Sequence, residues 1–357
     1  MVKNIRYAAI CVAIMSLISC DFKSHSSTYE SINDDILDAI LKGEGDGNSV
    51  KAVGSQSIAI TRHTTNNTGK DKDPDISIDG KWLLFSSTRG SNTHDIYMKQ
   101  LGTSVVTQLT NHPSEDIQPK FSADGRSIVF SSNRHNSRFD IYILPLFNRN
   151  GQRIQAKPIQ VTNNRRHNIH PCFNPQGNKL VYCSKNFKNE SWELWVYDHI
   201  ERTHSQIGYG LLPEWSPNGN HIVYEKYRNR GKSYSSIWIC NQDGSNPSEI
   251  VGDRNFGAIT PSWSPDGNYI TYATVHKSEY ARRHKRYDQG DNIWYVPLKG
   301  GNNVQVTNHD SPDSMPVWKI NTHGRSVIYF ISSREDGDRV WSAEPYTQND
   351  LDSVLLE

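Results

Sequence analysis

The sequence predicts an all-β fold, a six-bladed β-propeller whose blades are four-stranded antiparallel sheets. The first observation is a segment with a proline and a turn glycine that recurs six times along the 357 residues. Its glycines are separated by 45, 52, 42, 48 and 57 residues, and a repeat of about fifty residues is typical of propeller blades. The second observation is composition, since 10% of the chain is aromatic and it contains nine tryptophans. Aromatic residues favour strands over helices.

Each copy of the repeat combines a strand with a tight turn. The most complete copy, "TPSWSPDGNYITY" from Thr260, has proline second, an aromatic residue fourth and the turn glycine eighth. Alternation with a period of two then predicts a second strand, a third strand such as "DIYMKQL" or "NIWYVPL", and a short fourth strand ending in "QLTN" or "QVTN". The six turn glycines are Gly80, Gly125, Gly177, Gly219, Gly267 and Gly324.

The sixth repeat lacks a fourth strand of its own. Its three strands are expected near 315–318, 326–332 and 338–343, and a polar tail, residues 346–357, follows them. At the other end of the repeats, "SIAITRHT" alternates in the way the missing strand should. We therefore predict that Ser57 to Arg62 completes the last blade. Six sheets packed face to face around an axis bury both faces of each sheet and leave only short edges exposed.

The pattern of the first twenty residues predicts that the protein is exported and anchored by a lipid. Lys3 and Arg6 precede an apolar run that is too short to span a bilayer, which is typical of a secretory signal. The run ends in "LISC", which resembles the bacterial lipobox. By that resemblance residues 1–19 are a lipoprotein signal peptide and Cys20 is acylated, which implies a bacterial envelope protein facing the periplasm or the cell exterior. An ordinary signal with a chance cysteine is the alternative, and the choice between inner and outer membrane stays open.

Residues 20–55 are predicted to form a flexible tether, because Ser, Gly, Asp and Lys dominate them. One short amphipathic helix is expected within the tether. Its apolar residues, at helical spacing, are Ile32, Ile36, Leu37, Ile40 and Leu41. Docking on the propeller, on a partner or on the membrane surface would each suit such a helix.

The three cysteines after the tether are expected to be small buried residues. Three thiols cannot all pair within one chain, and no Cys-x-x-Cys pair indicates zinc, although one disulfide among them stays open. They are Cys172, Cys183 and Cys240.

The repeats resemble those of the TolB-type six-bladed propeller family across residues 56–345. The resemblance rests on the Pro-x-Trp-Ser-Pro-Asp-Gly pattern, the Ile-x-Tyr/Phe strand after it and the later Asp-Ile-Tyr. It implies a scaffold or adaptor that binds an envelope protein, for instance a peptidoglycan-associated lipoprotein. Lysine and arginine (39) nearly balance aspartate and glutamate (38), which gives no reason to expect a nucleic-acid partner. We expect a monomeric propeller, held at the membrane by its lipid anchor, without a cofactor.

Candidate site residues lie where the fourth strand of one blade leads into the first strand of the next. These loops are expected to surround the mouth of the central channel. The candidates there are Asp116, Gln118, Asn168, His170, Thr260 and Asp313. The long loop of the fifth blade is a second candidate, either a solvated run of charge or a contact for an anionic partner. Its cations are Arg282, Arg283, Lys285 and Arg286.

A propeller enzyme or a carbohydrate-binding protein is the alternative function. Some propeller lyases that act on acidic sugars, such as oligogalacturonate lyase, resemble this chain in having histidines and a glutamine at the channel mouth, where they hold a metal. The sequence contains no Gly-x-Ser-x-Gly and no His-Glu-x-x-His motif. Histidines and amides at loop ends usually satisfy local backbone groups. We therefore predict no catalytic residue and no metal ligand, and keep the lyase as the alternative.

Overall fold

The computed structural model describes residues 60–65, 69–135, 137–227, 235–253, 256–276, 292–335 and 337–345. These residues form six four-stranded sheets in which all neighbouring strands are antiparallel. The predicted fold class, a six-bladed propeller of four-stranded blades, is confirmed.

Five blades are built from consecutive strands, and the sixth also uses the first strand of the fold. Blade 1 contains β2 (Asp71–Ile76), β3 (Trp82–Ser87), β4 (Asp95–Gln100) and β5 (Val106–Gln108). Blade 2 contains β6 (Asp116–Phe121), β7 (Ser127–His135), β8 (Arg138–Pro145) and β9 (Ile159–Gln160). Blade 3 contains β10 (Asn168–Phe173), β11 (Lys179–Asn186), β12 (Ser191–Asp198) and β13 (Thr203–Tyr209). Blade 4 contains β14 (Leu211–Trp215), β15 (His221–Tyr227), β16 (Ser235–Asn241) and β17 (Ser248–Val251). Blade 5 contains β18 (Phe256–Trp263), β19 (Tyr269–His276), β20 (Ile293–Pro297) and β21 (Val304–Gln305). Blade 6 contains β22 (Asp313–Ile320), β23 (Ser326–Ser332), β24 (Arg339–Ala343) and β1 (Ile60–Arg62).

The strand from the amino-terminal side closes the ring, as predicted. In the β1–β24 pair, Ile60 lies opposite Ala343 and Arg62 lies opposite Trp341. The contact continues past the strand, where the Val340 backbone amide donates a hydrogen bond to the Thr64 hydroxyl at 3.0 Å. Residues 57–59, which were also predicted to belong to this strand, lie outside the described residues.

The turn between the first two strands of a blade is fixed by its own side chains. In blade 5 the Ser264 hydroxyl bonds to an Asp266 carboxylate oxygen at 2.5 Å and accepts the Tyr269 backbone amide at 2.9 Å. The glycine of the equivalent turn in blade 1, Gly80, has φ of +69°, and a Cβ there would lie 2.6 Å from the backbone oxygen of Ile320. That glycine therefore allows both the turn and the close approach of blade 6.

The aromatic residue of the repeat fills the space between blades. Trp263 is 4% exposed and packs with Val223 and Ile237 of blade 4 and with Ile270 and Tyr272 of its own blade. Burial of such large apolar side chains between sheets is the main stabilisation available to a propeller.

The predicted burial of the cysteines holds for two of the three. Cys183 and Cys240 are buried, whereas Cys172 is half-buried beside the central channel, and none of the three forms a disulfide. The predicted signal peptide, the tether with its helix and the polar tail lie outside the described residues. Within the part of the chain that the structure describes, no helix has the length and apolar character needed to cross a membrane.

Candidate functional site

A ring of six equivalent residues surrounds the channel mouth, one from the innermost strand of each blade. Each precedes the proline of its repeat, has positive φ and sits where the register to the second strand shifts. We call this set the mouth ring. Its members are Asp73 (φ 50°), Gln118 (56°), His170 (53°), Leu212 (51°), Thr260 (51°) and Met315 (53°). Positive φ is uncommon in residues other than glycine and is tolerated where surrounding structure enforces it, often at functional sites.

Side chains of the mouth ring bond to the backbone of the next blade. The Gln118 backbone amide donates to an Asp73 carboxylate oxygen at 3.1 Å, and the His170 amide donates to the Gln118 side-chain oxygen at 3.0 Å. On the other side, the Asp73 amide lies 3.4 Å from the Met315 sulfur. Blades 6, 1, 2 and 3 are therefore joined in sequence at the mouth.

In blades 3 and 4 the bond to the next blade comes from a residue of the second strand and not from the mouth ring. The Thr260 amide donates to a carboxylate oxygen of Glu225, at 3.4 Å, because Leu212 offers no acceptor. Burial raises the pKa of the Cys183 thiol, and a hydrogen bond with the Leu212 backbone partly offsets that rise. The Leu212 backbone therefore bonds to Cys183, and the His170 ring nitrogens have no hydrogen-bond partner among the described residues.

Four polar atoms of the mouth ring, on three side chains, have no hydrogen-bond partner among the described residues. They are both ring nitrogens of His170, the side-chain nitrogen of Gln118 and the hydroxyl of Thr260. All three residues are buried, with exposed fractions of 8%, 5% and 8%. An unsatisfied buried polar group costs about 1–3 kcal/mol, and native proteins normally satisfy such groups with water or a ligand.

The environment of His170 keeps its imidazole uncharged. Burial lowers the pKa of His170 to about 4, and the positive charge of Lys120 adds to this while Asp73 opposes it. The imidazole is therefore neutral at pH 7, with one nitrogen able to donate and the other able to accept. Burial also raises the pKa of Glu225 to about 7, against the stabilising hydrogen bonds from Ser235 and Thr260.

A bridge of charges lies two residues further along the inner strands. The Lys120 ammonium lies 3.6 Å from an Asp75 oxygen and 3.9 Å from a Glu214 oxygen. Burial alone would lower the pKa of Lys120, but these two carboxylates raise it. These three charged residues link blades 1, 2 and 4, and we call them the ionic floor of the mouth ring. Cys172 lies beside this floor, where burial and the charge of Glu214 raise the pKa of its thiol to about 11.

Two of the predicted mouth residues bond within their own blades instead. Both carboxylate oxygens of Asp116 accept from Arg134, at 2.9 and 2.8 Å, and both oxygens of Asp313 accept from Arg334, at 2.9 and 2.7 Å. The two aspartates have 0% exposure. Their arginines also lie over aromatic rings, Arg134 at 5.3 Å from the ring centre of Phe130. Both aspartates therefore form buried ion pairs within their own blades.

A third predicted residue, Asn168, is buried at the start of β10, where blade 2 leads into blade 3. Its amide nitrogen donates to Asp140 at 3.0 Å and to Asn164 at 2.8 Å. The other three predicted residues, Gln118, His170 and Thr260, belong to the mouth ring. The basic cluster from Arg282 to Arg286 and the predicted lipidation site Cys20 lie outside the described residues.

Sequence reasoning did not single out Asp73, Glu225 or Lys120. A signal for the first was present, since Asp73 precedes a repeat proline as His170 and Thr260 do. No comparable signal marks Glu225, which acts on the neighbouring blade through the folded contact with Thr260.

Two histidines at other loop ends, His112 and His309, bond locally and do not join His170. The ring nitrogen of His112 accepts the Ser114 amide at 3.1 Å, and that of His309 accepts the Ser311 amide at 3.0 Å. Among the described residues no three His, Cys, Asp or Glu side chains form a group that could hold a metal ion.

Fold and site together define a closed six-bladed propeller with a polar mouth ring above an ionic floor. The family model of the TolB beta propeller domain matches residues 48–233, which is more than half of the chain. The chain therefore belongs to the TolB beta propeller domain family, as the repeats predicted. No curated protein sequence matches the chain.

Solved structures share the fold at low sequence identity. A putative TolB from Agrobacterium tumefaciens is 16% identical, with 82% of this chain and 100% of that chain covered and a TM-score of 0.55. TolB from Acinetobacter baumannii is 13% identical over 76% of this chain and 65% of that one, with a TM-score of 0.53. An oligogalacturonate lyase from Vibrio parahaemolyticus is 16% identical over 82% and 83%, with a TM-score of 0.51. Proteins with different names thus share this architecture, so function must be argued from the site.

Proposed function

We propose that this protein is an exported, lipid-anchored propeller of the bacterial envelope that binds another envelope protein at its channel mouth, as a scaffold or adaptor. The observation that carries the proposal is the set of unpartnered polar groups on Gln118, His170 and Thr260. They come from equivalent positions in three blades and are buried, and the bridge centred on Lys120 lies two residues further along the inner strands.

The chemistry of the mouth ring suits an inserted polypeptide segment. Gln118 offers an amide donor, Thr260 a hydroxyl, and neutral His170 one donor and one acceptor. Backbone amides and uncharged polar side chains match such a set. Because adjoining blades hold the ring residues through hydrogen bonds, the surface is preorganised, which lowers the entropic cost of binding.

The envelope location rests on the amino-terminal sequence. Residues 1–19 with Cys20 resemble a lipoprotein signal, and the TolB-type resemblance points to an envelope partner such as a peptidoglycan-associated lipoprotein. The cations Arg282, Arg283, Lys285 and Arg286 would add an electrostatic contact if that partner is acidic. Inner and outer membrane are both compatible with this proposal.

The test is affinity capture from detergent-solubilised native membranes. Wild type should retain a stoichiometric protein, and the single variants His170→Ala and Thr260→Val should retain at least about tenfold less of it, since a few central, desolvated residues carry most of the binding energy of an interface. Gln206→Ala, on the exposed edge strand β13, is the matched control and should retain the wild-type amount. Equal recovery by all four proteins would contradict the proposal.

A carbohydrate-binding or lyase function is the second candidate, favoured by the neighbouring positions of Gln118 and His170, whose backbone amide donates to the Gln118 side-chain oxygen. The neighbour from Vibrio parahaemolyticus carries the name oligogalacturonate lyase. Incubation with acidic oligosaccharides and Mn²⁺, followed by ultraviolet detection of unsaturated products, tests this candidate. It stands only if bound metal and turnover both appear in wild type and both disappear in His170→Ala.

A further inference from the structure

We propose that the rim between blades 2 and 3 is a second contact surface, separate from the mouth ring, for an acidic protein segment that carries an apolar side chain. The surface consists of Arg138, Phe139, Arg165, His167, Phe187 and Lys188, and we call it the basic aromatic rim. None of these residues belongs to the mouth ring, and the proposal stands whether or not the mouth ring binds a partner.

Two long hairpins form the frame of this rim. In blade 2 strands β7 and β8 have nine and eight residues, and in blade 3 strands β11 and β12 have eight each, whereas β3 and β4 of blade 1 have six each. Asn168, at the start of β10, lies opposite Ser184 near the end of β11. The tips of these hairpins therefore stand at the same end of the propeller as the mouth ring.

His167 ties the two hairpins together. Its ring nitrogen Nδ1 accepts the Phe139 amide at 3.3 Å, and its backbone oxygen accepts the Lys185 amide at 2.8 Å. Burial lowers the pKa of His167, and the nearby charges of Arg138 and Lys185 lower it further. The imidazole is thus a neutral structural element of the rim, and the charge of the surface comes from other residues.

An aromatic row crosses the rim and ends at an exposed ring. The ring centres of Phe139 and His167 are 6.1 Å apart, and those of His167 and Phe187 are 5.8 Å apart in an edge-to-face arrangement. Phe187 is 47% exposed at the tip of its hairpin. A phenylalanine held by its neighbours and open to solvent can add apolar area to an interface at a small entropic cost.

Three cations without carboxylate partners among the described residues lie on the same rim. The guanidinium of Arg138 lies 5.9 Å from the ring centre of Phe187, Lys188 follows Phe187 directly, and Arg165 lies two residues before His167. All three cations are exposed, and the part of the chain that the structure describes gives none of them an ion pair.

Neighbouring cations of the same two blades are neutralised, which makes the three on the rim distinctive. Lys185 pairs with Glu190 at 2.9 Å, and Arg166 pairs with Glu193 at 2.6 Å. The rim therefore carries three cations without ion pairs among the described residues together with one exposed aromatic ring, and its electrostatic complement is an anionic segment.

A protein segment fits this surface better than a lipid surface or a sugar. One half-exposed phenylalanine provides little apolar area for insertion into a membrane, where binding scales with buried area. A sugar that stacks on an aromatic residue needs an open ring face, and the guanidinium of Arg138 already lies over the Phe187 ring. Carboxylates beside an apolar side chain can use the cations and the ring edge together.

The test uses full-length protein and three probes. These are a fluorescent Asp/Glu-rich peptide with one central tryptophan, its Asn/Gln analogue, and phosphatidylglycerol vesicles. We expect the acidic peptide to bind at least about tenfold more tightly than the neutral analogue, with an affinity that falls as salt rises. Equal binding of both peptides, or binding of the vesicles without binding of the acidic peptide, would overturn the proposal.

Matched variants assign the binding to the rim. Lys188→Gln and Arg138→Gln should each weaken acidic-peptide binding at least about threefold, in line with loss of one interfacial charge contact. Lys157→Gln removes an exposed charge from the β8–β9 connection and should leave affinity unchanged, as should His170→Ala at the mouth. Thermal unfolding verifies that each variant is folded. Unchanged affinity in both rim variants would overturn the proposal, and loss of affinity in His170→Ala alone would move the peptide to the mouth ring.

Discussion

The backbone amide of His170 donates a hydrogen bond of 3.0 Å to the side-chain oxygen of Gln118, joining blade 3 to blade 2 at the channel mouth. The same Gln118 oxygen accepts the Ser131 hydroxyl at 2.9 Å. The oxygen of this side chain therefore joins the two blades, while its nitrogen is buried without a partner among the described residues. One residue thus combines a structural and a binding role, and the two can be separated by substitution.

Gln118→Ala should lower the free energy of unfolding by about 1–3 kcal/mol, because the His170 amide and the Ser131 hydroxyl lose their buried acceptor. Gln118→Glu keeps an acceptor oxygen and, at a pH low enough to keep the buried carboxyl protonated, should lose less stability, while still removing the amide donor. Urea unfolding near pH 4 measures both. If the two variants are equally stable, the acceptor role of Gln118 is wrong.

Asp116→Ala should destabilise the protein by about 3–5 kcal/mol, since it leaves the guanidinium of Arg134 buried without its carboxylate. Replacing both residues together, as Asp116→Leu with Arg134→Met, should recover most of that loss. The measurement is again urea unfolding, combined with partner capture. An Asp116→Ala protein of wild-type stability that no longer binds its partner would return Asp116 to the binding site.

Deletion of residues 57–62 should remove the strand that closes blade 6 and abolish cooperative unfolding at the wild-type temperature. The reason is that β24 loses its pairing along Ile60–Arg62 and exposes a sheet edge. Differential scanning calorimetry provides the measurement. Removal of the predicted tail, residues 346–357, is the control and should leave the transition in place. A deletion variant that melts as wild type does would contradict closure by β1.

Glu225→Gln should change how stability depends on pH. The folded-state pKa of Glu225 is about 7, above its ordinary value of 4.5, so the folded protein binds this proton more tightly than the unfolded chain does. The stabilisation is present below pH 4.5 and is lost as pH rises through 7, by up to about 3 kcal/mol.

The variant lacks this titration, so its stability relative to wild type should increase between pH 4.5 and pH 8. Glutamine can still accept the amide of Thr260. Other titrating groups, such as His63 and His170, are present in both proteins and cancel in the difference. A difference that stays constant across this range would show that Glu225 keeps an ordinary pKa.

The architecture could be predicted from the sequence because each blade repeats the same local sequence pattern. The turn at Gly267, the interblade position of Trp263 and the closing strand before Arg62 all follow from period, turn chemistry and alternation. Each feature has a local sequence signal, although the closing strand pairs with residues at the other end of the propeller.

Which polar residues lie in the mouth ring and which bond within the blades could be predicted only in part. Asp116 and Asp313 were expected at the channel mouth, and each instead bonds to an arginine that ends a nearby "FSSNR" or "FISSR" segment. That recurring arginine was a usable signal. The link from Glu225 to Thr260 was not predictable, because it joins two blades through a geometry that only the closed ring creates.

The most direct test of the central claim is site-specific photocrosslinking in cells of the source organism. A photoreactive amino acid at position 260 would lie in the mouth ring, and one at position 206 would lie on the exposed edge strand of blade 3. We predict one discrete crosslinked protein from position 260, competed away by excess unlabelled propeller, and none from position 206. Absence of any specific adduct at position 260, or capture of the same protein from both positions, would contradict binding at the mouth.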